Sequence, residues 1–418
     1  MNVLVIGQGG REHAIAWKLA QSQKVEIVFV APGNGGTEVE DKCENINIKI
    51  SDFSAIQKLI REKNIKLVVI GPEDPLVNGL VDFLQNEDVL VFGPSANGAK
   101  LEGSKIYSKK FMFKNDIPTG EAKFFSCSAE AKDYLDNCEY PIVLKADGLA
   151  AGKGVLVAQD SDSAKNWVDA VMHDSVFGEA GKNILVEECL FGTELSFMGI
   201  LTPKEFIPFE TSVDYKPLED NNIGPNTGGM GCISPSPFMN EDLKKAIMQN
   251  VVQPTIDGLN KLGVKYYGFM YFGLMVKEND PKVLEFNCRL GDPETQCLMM
   301  QMESDLLSCL IDALNDEEVT IDWKKGASVG VVMASAGYPG TYKTGCTVKF
   351  GNTGNLKIFH AGTTLDGAEL KTSGGRVFSI NYYDDNLKDC SEYIYKNIEE
   401  IQFDGNIYRT DIGKIYES

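Results

Sequence analysis

The sequence predicts an α/β protein with an amino-terminal doubly wound parallel sheet, a small α+β lobe in the middle and a strand-rich carboxyl-terminal segment. Three observations carry this reading. The first hundred residues alternate β-branched runs with amphipathic stretches. Residues 122 to 200 repeat strand and helix around a glycine-rich hairpin, and after Gly326 the chain breaks into short strands at glycine turns. With 418 residues the chain has room for about two to four domains. Boundaries are expected near 103 and 326, giving segments 1–103, 104–326 (with the lobe at about 120–195) and 327–418.

In the first segment, Val3-Ile6, Val25-Val30, Leu67-Ile70 and Val89-Phe92 read as strands, with helices at Arg11-Ser22, Ser54-Lys63 and Asn78-Gln85. Ser51-Asp52 supplies capping side chains for the second helix. Strict alternation implies parallel strands joined by crossovers, and ligands then sit beyond the carboxyl ends of the strands. Three unusual loops fall at that edge: Gly7-Gln8-Gly9-Gly10-Arg11, Pro32-Gly33-Asn34-Gly35-Gly36 and Gly71-Pro72-Glu73-Asp74-Pro75.

A helix at Ser104-Asn115 leads into the lobe, whose strands are expected at Pro141-Lys145, Val155-Ala158 and Asn183-Glu187, with helices at Ala129-Asn137 and Ser163-His173. Beyond it come strands at Phe206-Phe209, Tyr267-Lys277 and Lys282-Cys288. Helices are expected at Glu241-Leu262, kinked or broken near Pro254, and at Thr295-Leu314.

Composition excludes several classes of function. With 43% hydrophobic and 24% charged residues the chain is an ordinary globular protein, neither disordered nor fibrous. Forty basic against 60 acidic residues leave a formal charge of −20, which repels nucleic acid and anionic membranes. A phosphate-bearing ligand must therefore be met by backbone amides, a few aimed cations or a divalent metal. Ten cysteines without CxxC spacing read as reduced thiols, the amino terminus lacks the basic region of a signal peptide, and the longest apolar stretch, Tyr266 to Val276, is too short to span a bilayer. A cytoplasmic location is expected.

Four constellations carry the chemistry. Lys145-Ala-Asp-Gly148, continuing to Gly152-Lys153-Gly154, lies between two predicted strands, where glycines admit an anion to backbone amides and lysines supply point charges. A surface hairpin with two solvated lysines fits the same residues. Val186-Glu187-Glu188-Cys189-Leu190, followed by Glu194, offers main-chain groups for an adenine edge and a carboxylate for ribose, or simply solvated glutamates on a strand edge. Glu285-Phe-Asn287-Cys-Arg289 leads into Gly291-Asp292-Pro293-Glu294; period-2 alternation puts Glu285, Asn287 and Arg289 on one face. A carboxylate with an amide oxygen suits Mg²⁺, and an arginine can grip an acyl phosphate in bidentate fashion, while an internal Glu-Arg pair on a polar sheet face is the bland alternative. Last, Asp214-Tyr-Lys216 precedes Gly224-Pro-Asn226-Thr227-Gly228-Gly229-Met230-Gly231, a loop dense enough in glycine to close on a ligand or to be an ordinary Ω-loop.

In this order and spacing the four resemble the ATP-grasp ligases. With Gly7 to His13 and the other amino-terminal loops included, the chain resembles the phosphoribosylamine-glycine ligase family (glycinamide ribonucleotide synthetases) of purine biosynthesis. The resemblance implies an ATP-dependent ligase that phosphorylates the glycine carboxylate and lets the amine of 5-phosphoribosylamine attack the glycyl phosphate. It implies ATP phosphates at Lys105 and Lys145, a lid at Gly148 to Gly154 including Gly152 and Lys153, adenine along Glu187 to Leu190 and ribose at Glu194. It further implies Mg²⁺ or Mn²⁺ on Glu285 and Asn287, the glycyl phosphate at Arg289 and the glycine amine at Asp214. Phosphoribosylamine would meet Gly9, Gly10, Arg11, Gly33, Asn34, Glu73 and Asp74, with Gly228, Gly229, Asp292, Pro293 and Glu294 also facing substrate. Lys145, Asp214 and Arg289 are the catalytic candidates. The partners implied are small molecules alone, on a monomer or a dimer.

One departure stands out: strand Tyr267 to Val276 contains no acid where the wider superfamily often places a further metal ligand. Among rivals, an NAD-dependent oxidoreductase is opposed by Glu12 at the last glycine position of the fingerprint and by the absence of an acid after the second strand. Another ATP-grasp carboxylate-amine ligase or carboxylase, or a nucleotide sensor without catalysis, remains the alternative. His13 reads as a structural residue beside the phosphate loop, and His173 and His360 have no companions that imply chemistry.

Overall fold

The computed structural model describes residues 1–149, 154–174 and 176–414. Its first sheet is all parallel, in the order β3-β2-β1-β4-β5, from β1 (Asn2–Gly7), β2 (Val28–Pro32), β3 (Cys43–Asn45), β4 (Ile65–Ile70) and β5 (Leu90–Phe92). Both faces are buried: Leu4, Ile6, Val68 and Ile70 join one apolar cluster, and Val3, Val5, Leu67 and Val69 join another. This explains why the strands read as unbroken apolar runs. The helices are α1 (Gly10–Ala20), α2 (Phe53–Glu62), α3 (Glu73–Val77), α4 (Leu80–Leu84) and α5 (Ala96–Gly103). Asp52 caps α2 by accepting the Ala55 N–H at 3.0 Å.

Two expectations here need correction. The Gly71-Pro75 segment is a loop only as far as Pro72, because Glu73 and Asp74 open α3, where acids suit the helix dipole and Pro75 still lies in the first turn. The single helix at Asn78-Gln85 begins only at Leu80, after Gly79 turns left-handed at φ 83°. Strand β3 and helix α5 lie where no element was expected, since three residues and a Gly-bearing octet give almost no periodic signal.

Helix α6 (Lys105–Lys114) is capped by Ser104, which accepts the Tyr107 N–H at 3.0 Å, and leads into a four-stranded lobe. Its sheet runs β6-β9-β7-β8 from β6 (Ala122–Phe125), β7 (Ile142–Ala146), β8 (Val155–Ala158) and β9 (Ile184–Glu188), backed by α7 (Ser128–Leu135) and α8 (Ser161–Val168). β10 (Thr193–Leu201), unforeseen in the sequence, starts the central sheet with β11 (Phe206–Pro208). Short strands β12 (Val213–Asp214), β13 (Pro217–Glu219), β14 (Ile223–Asn226) and β15 (Gly231–Ser234) follow. Helices α9 (Glu241–Ile247) and α10 (Gln253–Lys261) are joined by a π-helical turn at Met248–Val252, so Pro254 falls at a helix start rather than breaking one.

The central sheet, β11-β10-β16-β17, ends in the hairpin of β16 (Gly268–Lys277) and β17 (Asp280–Asn287). Phe286 packs in the core with Phe111 and Phe272, contacts whose loss typically costs about 3–5 kcal/mol. The helix expected over Thr295-Leu314 is two, α11 (Glu294–Gln301) and α12 (Leu306–Leu314), because Met302 makes a β-bridge to Trp323 between them. The last sheet centres on β18 (Ala327–Ser335), paired with the strand Arg376–Asp384, and it recruits β12 and β15 from before residue 326. The carboxyl-terminal part is thereby woven into the middle of the chain. No helix among the described residues is long and apolar enough to cross a membrane, and all ten cysteines are free.

Candidate active site

A cleft lies between the lobe, α6 and β17. It is lined by Lys105, Lys109, Lys145, Gly154, Glu187, Glu285, Asn287 and Arg289, with Glu73 and Glu102 at one end. The β16–β17 register explains the polar floor: Glu285 pairs with Gly273 and Asn287 with Tyr271, so Glu285 and Asn287 project into the cleft while Phe286 and Cys288 enter the core. The strand ends at Asn287, so Arg289 stands just beyond it rather than within it. Burial opposes ionisation of Glu285, yet Lys216, Lys105, Lys145 and Arg289 outweigh it and bring its pKa to about 2.

Lys145 Nζ sits 2.8 Å from Glu187 Oε2 and donates to the Leu284 carbonyl at 3.1 Å. Lys109, which sequence reasoning missed, holds the other Glu187 oxygen at 3.3 Å; burial lowers its pKa to about 8. Glu188 faces a second cleft, where it accepts the Glu121 N–H at 3.3 Å, and neither it nor Leu190 lines the cleft of Lys145 and Glu285. Glu194 pairs with Lys216 at 2.7 Å. Gly148 has φ 145°, whereas Gly152 and Lys153 lie outside the described residues.

Arg289 links the cleft to the amino-terminal loops. Its Nε lies 3.4 Å from Glu73 Oε2, and Arg11 Nη2 lies 3.9 Å from the same oxygen. Arg11 also donates to Glu12 at 2.6 Å and to the Leu290 carbonyl at 3.0 Å. Gly9 N–H donates to Glu12 Oε2 at 2.7 Å, and Gly10 packs against Gln296. The Asn34 side chain donates to the carbonyls of Gln8 (2.9 Å) and His360 (2.8 Å) and accepts the N–H groups of Gly36 (2.8 Å) and Thr37 (3.0 Å), so it knits two loops together beside left-handed Gly33. Asp74 sits in the first turn of α3 beside Glu73.

On the other side of Arg289, Asp214, Gly228, Gly229, Asp292, Pro293 and Glu294 come together. Asp214 Oδ1 is buried and finds no hydrogen-bond partner among the described residues. Burial, reinforced by the charge of Glu294, pushes the Asp214 pKa well up. Gly229 has φ 112°, and a Cβ there would overlap Pro293 and sit 2.6 Å from Asp214 Oδ1. Ser196 donates to Glu294 Oε1 at 3.0 Å. Arg376, in the carboxyl-terminal sheet, donates to the carbonyls of Gly228 and Asp292, the latter at 2.6 Å. It was missed in the sequence, although Gly374-Gly375 ahead of a strand is a visible signal.

One bland reading fails, and the structural reading of the histidines gains partners. The carboxylates paired with Arg289 are Glu73 and Glu102, not Glu285. His360 does have a companion: its N–H donates to His13 Nδ1 at 2.9 Å, and His13 Nε2 faces Glu40 Oε2 at 3.0 Å, so this buried group joins the first and last segments.

The donor set suits a hard divalent cation. Glu285 is ionised, and Asn287 Oδ1, which accepts from Arg289 Nη2 at 3.0 Å, keeps a second lone pair. Among the described residues no group of three or more His, Cys, Asp or Glu side chains is set to hold a metal. A cation here would rely on these two oxygens plus water and ligand oxygens, the mode Mg²⁺ favours.

A lobe closing over lysines, with a carboxylate, amide and arginine floor, defines an ATP-grasp ligase. Residues 1–102, 103–295 and 328–415 match, in turn, the N, ATP-grasp (A) and C domains of phosphoribosylglycinamide synthetase. The phosphoribosylamine–glycine ligase of Clostridium acetobutylicum is 44% identical over 417 residues, covering 99% of this chain and all of that one. Its namesake in Escherichia coli K12 is also 44% identical, covering 99% and 98%. The crystal structure of the phosphoribosylamine–glycine ligase of Thermotoga maritima superposes with a TM-score of 0.87 at 32% identity, over 98% of this chain and 100% of that one. The chain belongs to the phosphoribosylglycinamide synthetase family. A biotin carboxylase domain of Hydrogenobacter thermophilus 2-oxoglutarate carboxylase, in complex with MgADP and bicarbonate, shares the fold at TM-score 0.74 and 15% identity, over 97% of this chain and 91% of that one.

Proposed function

We propose that the protein joins the glycine carboxylate to the amine of 5-phosphoribosylamine, converting ATP to ADP and phosphate by way of a glycyl phosphate, and so makes glycinamide ribonucleotide. The observation that carries this reading is the position of Arg289. It lines the cleft with Glu285 and Asn287, its charge acts on Glu294, and Arg11 lies beyond Glu73.

In this reading Lys105 and Lys145 hold the ATP phosphates, the loop Gly148 to Gly154 would serve as the lid over them, and the main chain running from Glu187, which lines the cleft, toward Leu190 would meet adenine, with Glu194 near ribose. Glu285 and Asn287 would hold Mg²⁺ or Mn²⁺, which would supply positive charge to offset that of the ATP phosphates. Asp214, buried with an unpartnered oxygen, receives the glycine ammonium and orients its carboxylate. Arg289 balances the negative charge on the phosphoryl group as it passes to glycine, and phosphoryl transfer needs little beyond such positioning and neutralisation. The amine of phosphoribosylamine, held over Gly9, Gly10, Arg11, Gly33, Asn34, Glu73 and Asp74, then attacks the acyl carbon and expels phosphate. Gly228, Gly229, Asp292 and Pro293 wall off water from the acyl phosphate.

Supporting the partner assignment, the net charge of −20 disfavours nucleic acid and anionic membranes, and the expected form is a monomer or dimer in the cytoplasm, where the pathway's small molecules are found. The test is phosphate release from ATP with acceptors varied. Release that requires both glycine and phosphoribosylamine supports the reading. Equal release with bicarbonate in place of glycine favours a carboxylase and overturns it.

A further inference from the structure

We infer that Glu102 is a positioning residue for Arg289, a buried carboxylate that fixes the guanidinium in the orientation from which it meets the acyl phosphate. Glu102 lies in the last turn of α5, only 6% exposed, and its Oε1 is 2.8 Å from Arg289 Nη2. Its other oxygen accepts the main-chain N–H of Cys288 at 2.7 Å and the Cys288 thiol at 3.0 Å. The carboxylate is therefore anchored to the residue next to the arginine it orients, closing a short ring from backbone to side chain and back.

The donor count shows what this accomplishes. Nη2 is fully used by Glu102 and by Asn287 Oδ1, and Nη1 gives one N–H to the Leu290 carbonyl at 3.2 Å. The Nε–H has no hydrogen-bond partner among the described residues, and one Nη1 N–H remains uncommitted. Glu102 leaves these two donors for an incoming anion. Glu73 is a different kind of neighbour: its side chain is 26% exposed, against 6% for Glu102, and its oxygen lies 3.4 Å from Nε without forming a hydrogen bond. It can give way to a ligand, while Glu102 is held from both sides. A further consequence is that Glu102, Gly103, Ser104 and Lys105 are one continuous segment, so the orientation of Arg289 is tied to the start of α6.

A carboxylate that orients a cation also offsets its charge, which separates positioning from simple structural support. Glu102→Gln should leave a freer and less neutralised Arg289. Inorganic phosphate titrated into the MgADP-loaded protein should then bind as tightly as to wild type or tighter, while kcat falls about 10- to 100-fold. Parallel loss of phosphate affinity and kcat, or kcat within about twofold of wild type, overturns the inference. Glu102→Asp keeps the charge but withdraws it by one methylene, and should also lose about tenfold in kcat with an unchanged Tm; wild-type turnover by this variant overturns it as well. In the Arg289→Lys background, Glu102→Gln should cost no more than about a further twofold, and multiplying losses would refute action through Arg289. The turnover arm rests on the proposed reaction, whereas the phosphate titration does not. A wild-type protein without glycine-dependent turnover sinks that reaction alone, and Glu102 is then judged on phosphate affinity, where loss in Glu102→Gln still overturns the inference and retention supports it.

Discussion

Arg376 reaches from the carboxyl-terminal sheet to place Nη1 2.6 Å from the carbonyl of Asp292 and Nη2 3.2 Å from its carboxylate. The same guanidinium donates to the carbonyl of Gly228. One side chain thus fastens the glycine loop against the start of α11, the two segments that flank Asp214. Removing it leaves the half-buried Asp292 carbonyl without this donor, at a cost of up to about 1–3 kcal/mol. Arg376→Ala should raise the KM for glycine and lower kcat by about 10²-fold, with the KM for ATP little changed. Steady-state kinetics with each substrate varied in turn would check this, and an effect confined to ATP would contradict it.

The Asp214 carboxyl has its pKa raised, by burial first and by Glu294 next. Only its ionised form attracts an ammonium group, so the KM for glycine should rise as pH falls. Asp214→Asn should bind glycine weakly at every pH and flatten that profile. Because the folded state favours the protonated acid, ionisation above the ordinary carboxylate range costs stability. The Asn variant should therefore keep or raise its Tm at pH 8 while losing activity. A fall in Tm equal to that of an unfolding mutant would point to a structural role instead.

Glu285 is held ionised at neutral pH, with its pKa brought to about 2 against the cost of burial. Glu285→Gln removes the charge that a divalent cation needs, and should lower kcat by orders of magnitude and shift the Mg²⁺ requirement upward. Asn287→Ala should do the same with a smaller shift. A Mg²⁺ titration with unchanged midpoint in Glu285→Gln would overturn the metal assignment.

Acid should loosen the junction of the first and last segments. Burial lowers the pKa of His360 to about 3 and also lowers that of His13. Between the ordinary histidine value and about 3 the unfolded chain binds a proton at His360 that the folded one does not, so stability drops as pH falls through that window, by at most about 1.4 kcal/mol per pH unit for each such histidine. Glu40 acts in the same direction lower down. Burial raises its pKa, but the hydrogen bonds from His13 and Lys357 prevail and bring it to about 2, and its contribution is lost below the ordinary carboxylate range. Tm should decline from pH 7 to pH 5, and His360→Gln should flatten that decline. An identical slope in the variant would exclude the cluster as its source.

Much of the site was legible because its chemistry is local. Glu285, Asn287 and Arg289 follow a period of two along β17 and just past its end, and the alternation that sends Phe286 and Cys288 into the core sends the polar three to the cleft. The glycine loops after β1 and β2 were visible as turns at strand ends. What escaped notice has no such pattern. Glu102 and Lys109 look like ordinary helix-surface charges, and only the approach of Cys288 and Glu187 shows that they are buried partners. The sequence also could not show that β15 leaves the ligase core to pair with β18.

Chain order and residue type by themselves determined the α/β class, the parallel first sheet, the glycine loops at its edge and the hard-oxygen pair with its arginine. These depend on periodicity and on the intrinsic chemistry of neighbours a few residues apart. The tertiary structure alone decided which charges neutralise which: Arg289 with Glu102 across 187 positions of chain, and Arg376 with Asp292. Such pairings arise where packed elements exclude water and leave each buried charge in need of a partner, and that need becomes visible only once the distant segments have met.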